Sequence, residues 1–195
     1  MADYYFDMET YTQTINPDFK NDKILTIQFQ QIDCRTGEVK GKLEIFKEWE
    51  SSEEKILRKF YSIFNPLPSE PKGKWIFMPI GNNLSFDFTS LLYRWRKIGL
   101  EVPETSLFSN KPYIDIQPIL IMFNKGVFKG ANLEKFAGKQ HSGKMVSQWY
   151  DQKDYPSIQK YIEDEAEGFI SLYQYLIDRL PSIWFEYAKE KGIIT

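Results

Sequence analysis

Three short stretches of this 195-residue chain carry residue types and spacings that chemistry could use. The first is Asp7-Met8-Glu9, near the N-terminus. In an extended strand the side chains alternate faces with period two, so Asp7 and Glu9 share one face while Met8 enters the opposite layer. Paired carboxylates there make an oxygen-rich site suited to hard cations such as Mg²⁺ or Mn²⁺. The second is Gly81-Asn82-Asn83-Leu84-Ser85-Phe86-Asp87, where a short apolar strand gives way to a helix. Ligands gather at the carboxyl ends of strands in α/β sheets. In the structural alternative, Gly81 and Asn82 turn the chain, Ser85 caps the helix and Asp87 answers its dipole. The third runs from Tyr161 to Glu167 on a long helix. Tyr161 and Glu165, four apart, share a helix face, and Asp164 lies close to it. Singly, the first and third stretches read more simply as solvated charge, and the second is balanced between its two readings.

The elements that must position these groups follow from patterning. Tyr4 to Glu9 is aromatic and strand-prone, with no helical period. Residues 23–33 alternate apolar and polar as a second strand, and a turn at Thr36-Gly37-Glu38 leads into a third, Val39 to Glu48. Ser51 to Glu54 is a helix start, and Ile56, Leu57, Phe60, Tyr61 and Phe64 give that helix an apolar face. After a Pro-rich loop come a buried strand, Trp75 to Ile80, and a helix, Ser85 to Gly99. A strand at Pro112 to Ile116 and a short helix at Gln117 to Asn124 follow. Lys125 to Asp154 reads as mostly loop with a helical turn at Leu133 to Phe136. Pro156 to Leu180 is a long helix expected to stop at Pro181, with a terminal helix from Ser182 to Lys191. The hairpin requires antiparallel pairing and the alternating second half implies parallel pairing. A single α/β domain with a mixed five-stranded sheet flanked by helices is therefore expected, its core spanning residues 3–180.

Composition narrows the partners. The formal net charge is −2, so any nucleic acid must be held by a local patch or through bound cations. One cysteine, Cys34, excludes an internal disulfide and a thiolate-rich zinc site, and a single His141 excludes a His-based one. Asp3, Asp7 and Glu9 interrupt the N-terminus where a signal peptide would be apolar. The run Ile119 to Phe123 is far too short to span a bilayer. A cytoplasmic protein with no membrane contact is expected.

Taken together, the three stretches resemble the three exonuclease motifs of the DEDD superfamily: Asp7-x-Glu9 on the opening strand, Asn83-x-x-Phe86-Asp87 after a strand, and Tyr161 with Glu165 on a late helix. The order looks most like the tyrosine-type (DEDDy) branch, as in the proofreading domains of family B DNA polymerases, and covers roughly residues 3–180. The histidine-type branch does not fit, because Lys160 stands at that position. The resemblance implies an RNase H-like fold and a 3′–5′ exonuclease acting on single-stranded nucleic acid with a free 3′ end, DNA favoured and RNA open. It implies two divalent cations, Mg²⁺ or Mn²⁺, about 3.5–4 Å apart for an in-line displacement. Asp7 would bridge both, Glu9 and Glu165 would complete the first, and Asp87 would hold the second. Tyr161 would orient the attacking water. The family carries aspartate where this chain has Glu165, so Asp164 stands as the alternate ligand.

A substrate track is expected from Lys125, Lys129 and Lys139, with Lys135 and Lys144, in a Gly-rich stretch that carries only one acid, Glu134. A solubilising surface loop accounts for those lysines equally well. Asn83 and Phe86 would touch substrate, and Tyr11 or Phe128 could stack a base, although core packing is the commoner role of a phenylalanine. The sequence shows no polymerase segment, so a proofreading role would need a separate polymerase or repair partner. Two rivals stay open: an RNase H-like endonuclease, and a non-catalytic or weakly active nucleic-acid-binding module.

Overall fold

The computed structural model describes all residues except 1, 13, 15–17, 65–74, 137–142, 191 and 194–195. Five strands form one sheet in the order β3-β2-β1-β4-β5. They are β1 (Ala2–Tyr11), β2 (Lys23–Ile32), β3 (Val39–Lys47), β4 (Phe77–Gly81) and β5 (Ile114–Asp115). β1 is central, antiparallel to β2 and parallel to β4, with a bulge between Glu9 and Thr10. β2–β3 is the expected antiparallel hairpin, and β4–β5 is parallel. Six α-helices are described: α1 (Glu53–Phe64), α2 (Leu84–Lys97), α3 (Gln117–Phe123), α4 (Leu133–Phe136), α5 (Lys144–Asp151) and α6 (Tyr155–Glu190). The result is the mixed, helix-flanked five-stranded sheet that the pattern implies.

Period-two alternation divides the interior. On one face of the sheet Phe6 and Met8 join Ile27, Phe29 and Phe77 in packing against Phe60 and Phe64 of α1 and Leu91 and Trp95 of α2. Phe6 stacks on Phe60 with ring centroids 5.3 Å apart. On the other face Tyr5, Met78 and Ile80 meet Leu120 of α3 and Phe169, Tyr173 and Leu176 of α6. Each such apolar side chain contributes about 1.5–3 kcal/mol when fully buried, so both layers hold β1 in place. Asp7 and Glu9 thereby emerge on the α6 face, two and four residues beyond Tyr5.

Two expectations about the second half are corrected. Residues 125–154 hold a helix that the expected loop lacked, α5 at Lys144–Asp151. Its Val146 is fully buried with Leu25, Ile158 and Ile162, so tertiary packing forms a helix that the flanking glycines hide. The expected turn at Leu133–Phe136 is α4. Pro181 does not stop the long helix, and α6 runs through it as one 36-residue element. Proline removes a single donor, and Pro181 lies on an exposed stretch, so the helix tolerates the one bond lost to the Ile177 carbonyl.

Candidate metal centre and active site

The local turns that build the site are set by small residues and one carboxylate. Gly81 ends β4 against β1, and a Cβ there would lie 2.6 Å from the Phe6 carbonyl oxygen, so only glycine fits. Asn83 follows in the left-handed conformation, φ 60°, which asparagine tolerates better than most residues. The N-terminus of α2 is capped from a distance. Asp115, at the end of β5, accepts from the backbone N–H of Asn83 (2.8 Å) and of Leu84 (3.0 Å), and also from Gln117 (2.9 Å). Ser85, the expected cap, instead donates to Asn83 Oδ1 at 3.3 Å. This arrangement fixes the first turn of α2, which carries Asp87.

These turns open a cleft of about 330 Å³ lined by Tyr5, Asp7, Glu9, Asn82, Asn83, Phe86, Asp87, Gly143, Tyr161 and Glu165, among others. Asp7, Glu9 and Glu165 each offer a carboxylate oxygen, all within 4.8 Å of one another. Glu9 is 8% exposed, Glu165 8% and Asp87 3%. Asp164 is outside this group: it faces solvent and pairs with Lys160 one turn back, at 2.5 Å. Between the two candidates, the structure therefore brings Glu165 to the cluster and leaves Asp164 on the surface.

The electrostatics are those of an under-compensated site. Burial first, and then the Asp7 carboxylate, push the Asp87 carboxyl well above the usual carboxylate range. Burial likewise raises the Tyr161 phenol far above normal, with Glu9 and Glu165 adding to it. Tyr161 also hydrogen-bonds the Glu165 carboxylate, and its ring packs against Trp149 of α5 at 5.9 Å. Gly143 sits beside this pair: a Cβ there would lie 3.5 Å from the Tyr161 hydroxyl and 3.9 Å from Glu9 Oε2. Asp7 is oriented by Gln28, its partner across the β1–β2 ladder, which donates to Oδ2 at 3.0 Å. Thr26 holds Gln28 in turn, donating to its Oε1 at 2.9 Å.

Sequence reasoning missed Gln28, Asp115, Tyr5, Asn82 and Gly143. Gln28 is fully buried in an apolar strand, which is why it needs a polar partner, but that burial is visible only in the structure.

The expected substrate contacts divide. Asn83 and Phe86 line the cleft, and Phe86 meets Phe19 edge-on with centroids 5.3 Å apart. Lys125 and Lys129 do not line it; they are exposed around the turn that follows α3, where the Lys129 carbonyl accepts from Asn124. Those two lysines belong to a surface turn because Gly126 and Gly130, both with positive φ, fold the segment back on α3. Lys139 lies outside the described residues. Tyr11 is held to α5 by donating to Asp151 at 2.8 Å, whereas Phe128 is exposed.

All the ligand atoms gathered here are hard oxygens, and Asp87 Oδ1 is buried with no hydrogen-bond partner among the described residues. That donor set fits Mg²⁺ or Mn²⁺ and does not fit a soft metal. No helix among the described residues is long and apolar enough to cross a membrane.

No family model matches the chain, and no curated protein matches it in sequence. Solved structures do. The chain is similar to the family B DNA polymerase of the hyperthermophilic archaeon Pyrobaculum calidifontis, with a TM-score of 0.65 and 19% identity over 90% of this chain and 24% of the polymerase chain. It is also similar to E. coli exonuclease I in complex with a dT13 oligonucleotide, with a TM-score of 0.61 and 14% identity over 95% of this chain and 43% of that one. An exonuclease I/SSB-Ct complex gives 0.59 and 14% over 100% and 46%. The chain spans between about a quarter and a half of the chains it matches. At these identities the likeness establishes the RNase H-like fold.

Proposed function

We propose that this protein is a metal-dependent 3′–5′ exonuclease that hydrolyses phosphodiester bonds from the free 3′ end of a single strand, with DNA as the favoured substrate. The observation that carries the reading is the convergence of Asp7, Glu9 and Glu165 within 4.8 Å, in the cleft that also holds Asp87. Asp7, Glu9 and Glu165 would hold one divalent cation, and Asp7 with Asp87 a second. Bound there, the cations would supply charge neutralisation at the phosphate and a more acidic attacking water.

The chain's own groups do the rest. Gln28 fixes the rotamer of Asp7. Burial and the nearby carboxylates oppose ionisation of the Tyr161 phenol. It would orient the attacking water as a hydrogen-bonding group. Asn83 and Phe86 form the wall against which a terminal nucleotide would lie, and an aromatic ring stacks on any base without regard to sequence. Support for this substrate class comes from the fold shared with a protein that holds a dT13 oligonucleotide.

The test is incubation with an end-labelled single strand and Mn²⁺ or Mg²⁺, beside the Asp7→Ala chain. Stepwise 3′ shortening that disappears in the variant is expected. Internal fragments would replace the reading with an endonuclease, and binding without cleavage would replace it with a non-catalytic module.

A further inference from the structure

Tyr5 stands on β1 two residues before Asp7, on the same face of the strand. It is 1% exposed, and its ring packs on Phe169 of α6 with centroids 4.9 Å apart. Its hydroxyl is buried in the wall of the acidic cleft, and among the described residues nothing hydrogen-bonds it. A second such atom is close in the fold. Tyr5 pairs with Ile80 across the parallel β1–β4 ladder, and two residues beyond Ile80 comes Asn82, whose Oδ1 is also buried and unbonded. A phenylalanine would fill the space of Tyr5 without leaving a polar atom unsatisfied, and buried polar groups left alone destabilise a fold. An unpaired donor and an unpaired acceptor lining the same cation-suited cleft therefore call for a ligand-side partner.

We propose that Tyr5 and Asn82 are positioning residues that hydrogen-bond the water shell of a divalent cation held by Asp7 and Asp87, Tyr5 Oη donating and Asn82 Oδ1 accepting. The inference rests on the reading that these acids bind a cation, and adds who holds the waters. Hard cations such as Mg²⁺ keep several waters when bound, so a site with few protein ligands needs outer groups to orient them. On this face of β1 Asp7 is flanked by Tyr5 on one side and Glu9 on the other, and Gln28 of β2 already holds Asp7.

The experiment is titration calorimetry of Mn²⁺ into the full chain, without nucleic acid, for the unaltered protein, Tyr5→Phe and Asn82→Ala. Melting temperatures in EDTA are recorded alongside. Tyr5→Phe is expected to weaken Mn²⁺ binding roughly tenfold to a hundredfold, while its metal-free melting temperature stays level or rises. Asn82→Ala is expected to weaken Mn²⁺ binding in the same direction. Unchanged Mn²⁺ affinity in both variants overturns the proposal while leaving the acids as ligands. Absence of Mn²⁺ binding by the unaltered chain removes the reading beneath it, a different result in a different sample. A Tyr5→Phe chain that melts lower in EDTA assigns the hydroxyl a purely structural role and also overturns it.

Discussion

Glu53 and Arg94, between α1 and α2, and the four carboxyl groups on the opposite side of β1 are all ionisable groups drawn wholly or partly out of water, yet their surroundings differ. Arg94 Nε donates to Glu53 Oε1 at 2.7 Å, and a second guanidinium nitrogen reaches the other carboxylate oxygen. Glu53 also accepts from the Ile24 backbone at 2.8 Å, and Arg94 donates to the Lys20 carbonyl at 3.2 Å. Every strong hydrogen-bonding group there meets a partner from the chain itself. Asp7, Glu9, Asp87 and Glu165 gather carboxylates instead, with no lysine or arginine lining the cleft among the described residues. A fold tolerates the first arrangement for its own architecture. The second brings like charges together, which costs stability unless a cation or a proton compensates them.

Breaking the satisfied cluster should have the largest effect. Arg94→Met leaves Glu53 buried and unpaired, and urea unfolding should show a loss of about 3–5 kcal/mol, with the Glu53→Leu/Arg94→Met double variant recovering part of it. The acidic cluster should respond in the opposite sense to a ligand. Mn²⁺ at about a hundred times its Kd should stabilise the protein by about 2.7 kcal/mol, and Asp7→Asn should abolish that gain in thermal melts.

Lys111 sharpens the comparison as a buried cation held by weaker partners. It is 2% exposed, donates to the Phe64 carbonyl at 2.9 Å and faces the rings of Phe64 and Trp75. Burial pushes its pKa from the ordinary 10.5 down to about 7. Below that value both folded and unfolded chains carry the proton, and the folded state bears the full cost of burying the charge. Between about 7 and 10.5 the folded chain has released it while the unfolded chain keeps it, so stability gains as pH rises. The margin by which Lys111→Met exceeds the unaltered chain in melting temperature should be widest near pH 6 and narrower at about pH 9. The smallest effect belongs to Asp164→Asn, which breaks an exposed pair and should change stability by less than about 1 kcal/mol and leave strand shortening at its original rate. A matching loss in Asp164→Asn and Glu165→Gln would erase the distinction between surface and site.

Much of this was legible in the residues. The strand alternation around Asp7 and Glu9 fixes their shared face, and the hairpin, α1 and α2 follow from apolar period and end signals. Helical spacing pairs Tyr161 with Glu165 but leaves Asp164 close to the same face, so the choice between the two acids came from the structure. What the sequence hid depends on distant pairing. Asp115 caps α2 across 32 residues of chain at Asn83, and no local pattern announces a cap supplied by another strand. Gln28 meets Asp7 only through the β1–β2 register. Tyr5 reads as another strand aromatic until its hydroxyl is seen among carboxylates. Helix α5 lacks independent helical signals because glycines precede it and its apolar side chains find their partners on β2 and α6. Charge is visible in a sequence and direction is not: Lys125 and Lys129 lie on a surface turn outside the cleft lining.

Pro181 divides α6 by more than its missing donor. End-fraying of a helix spreads inward one hydrogen bond at a time, and the rung absent between Pro181 and Ile177 interrupts the ladder before it reaches the turns bearing Tyr161 and Glu165. Beyond it Trp184 and Phe185 are exposed, whereas Phe169, Tyr173 and Leu176 are locked into the sheet layer. The distal turns can therefore melt and reform, exchanging their amide protons with solvent, while the turns that aim the carboxylate keep theirs.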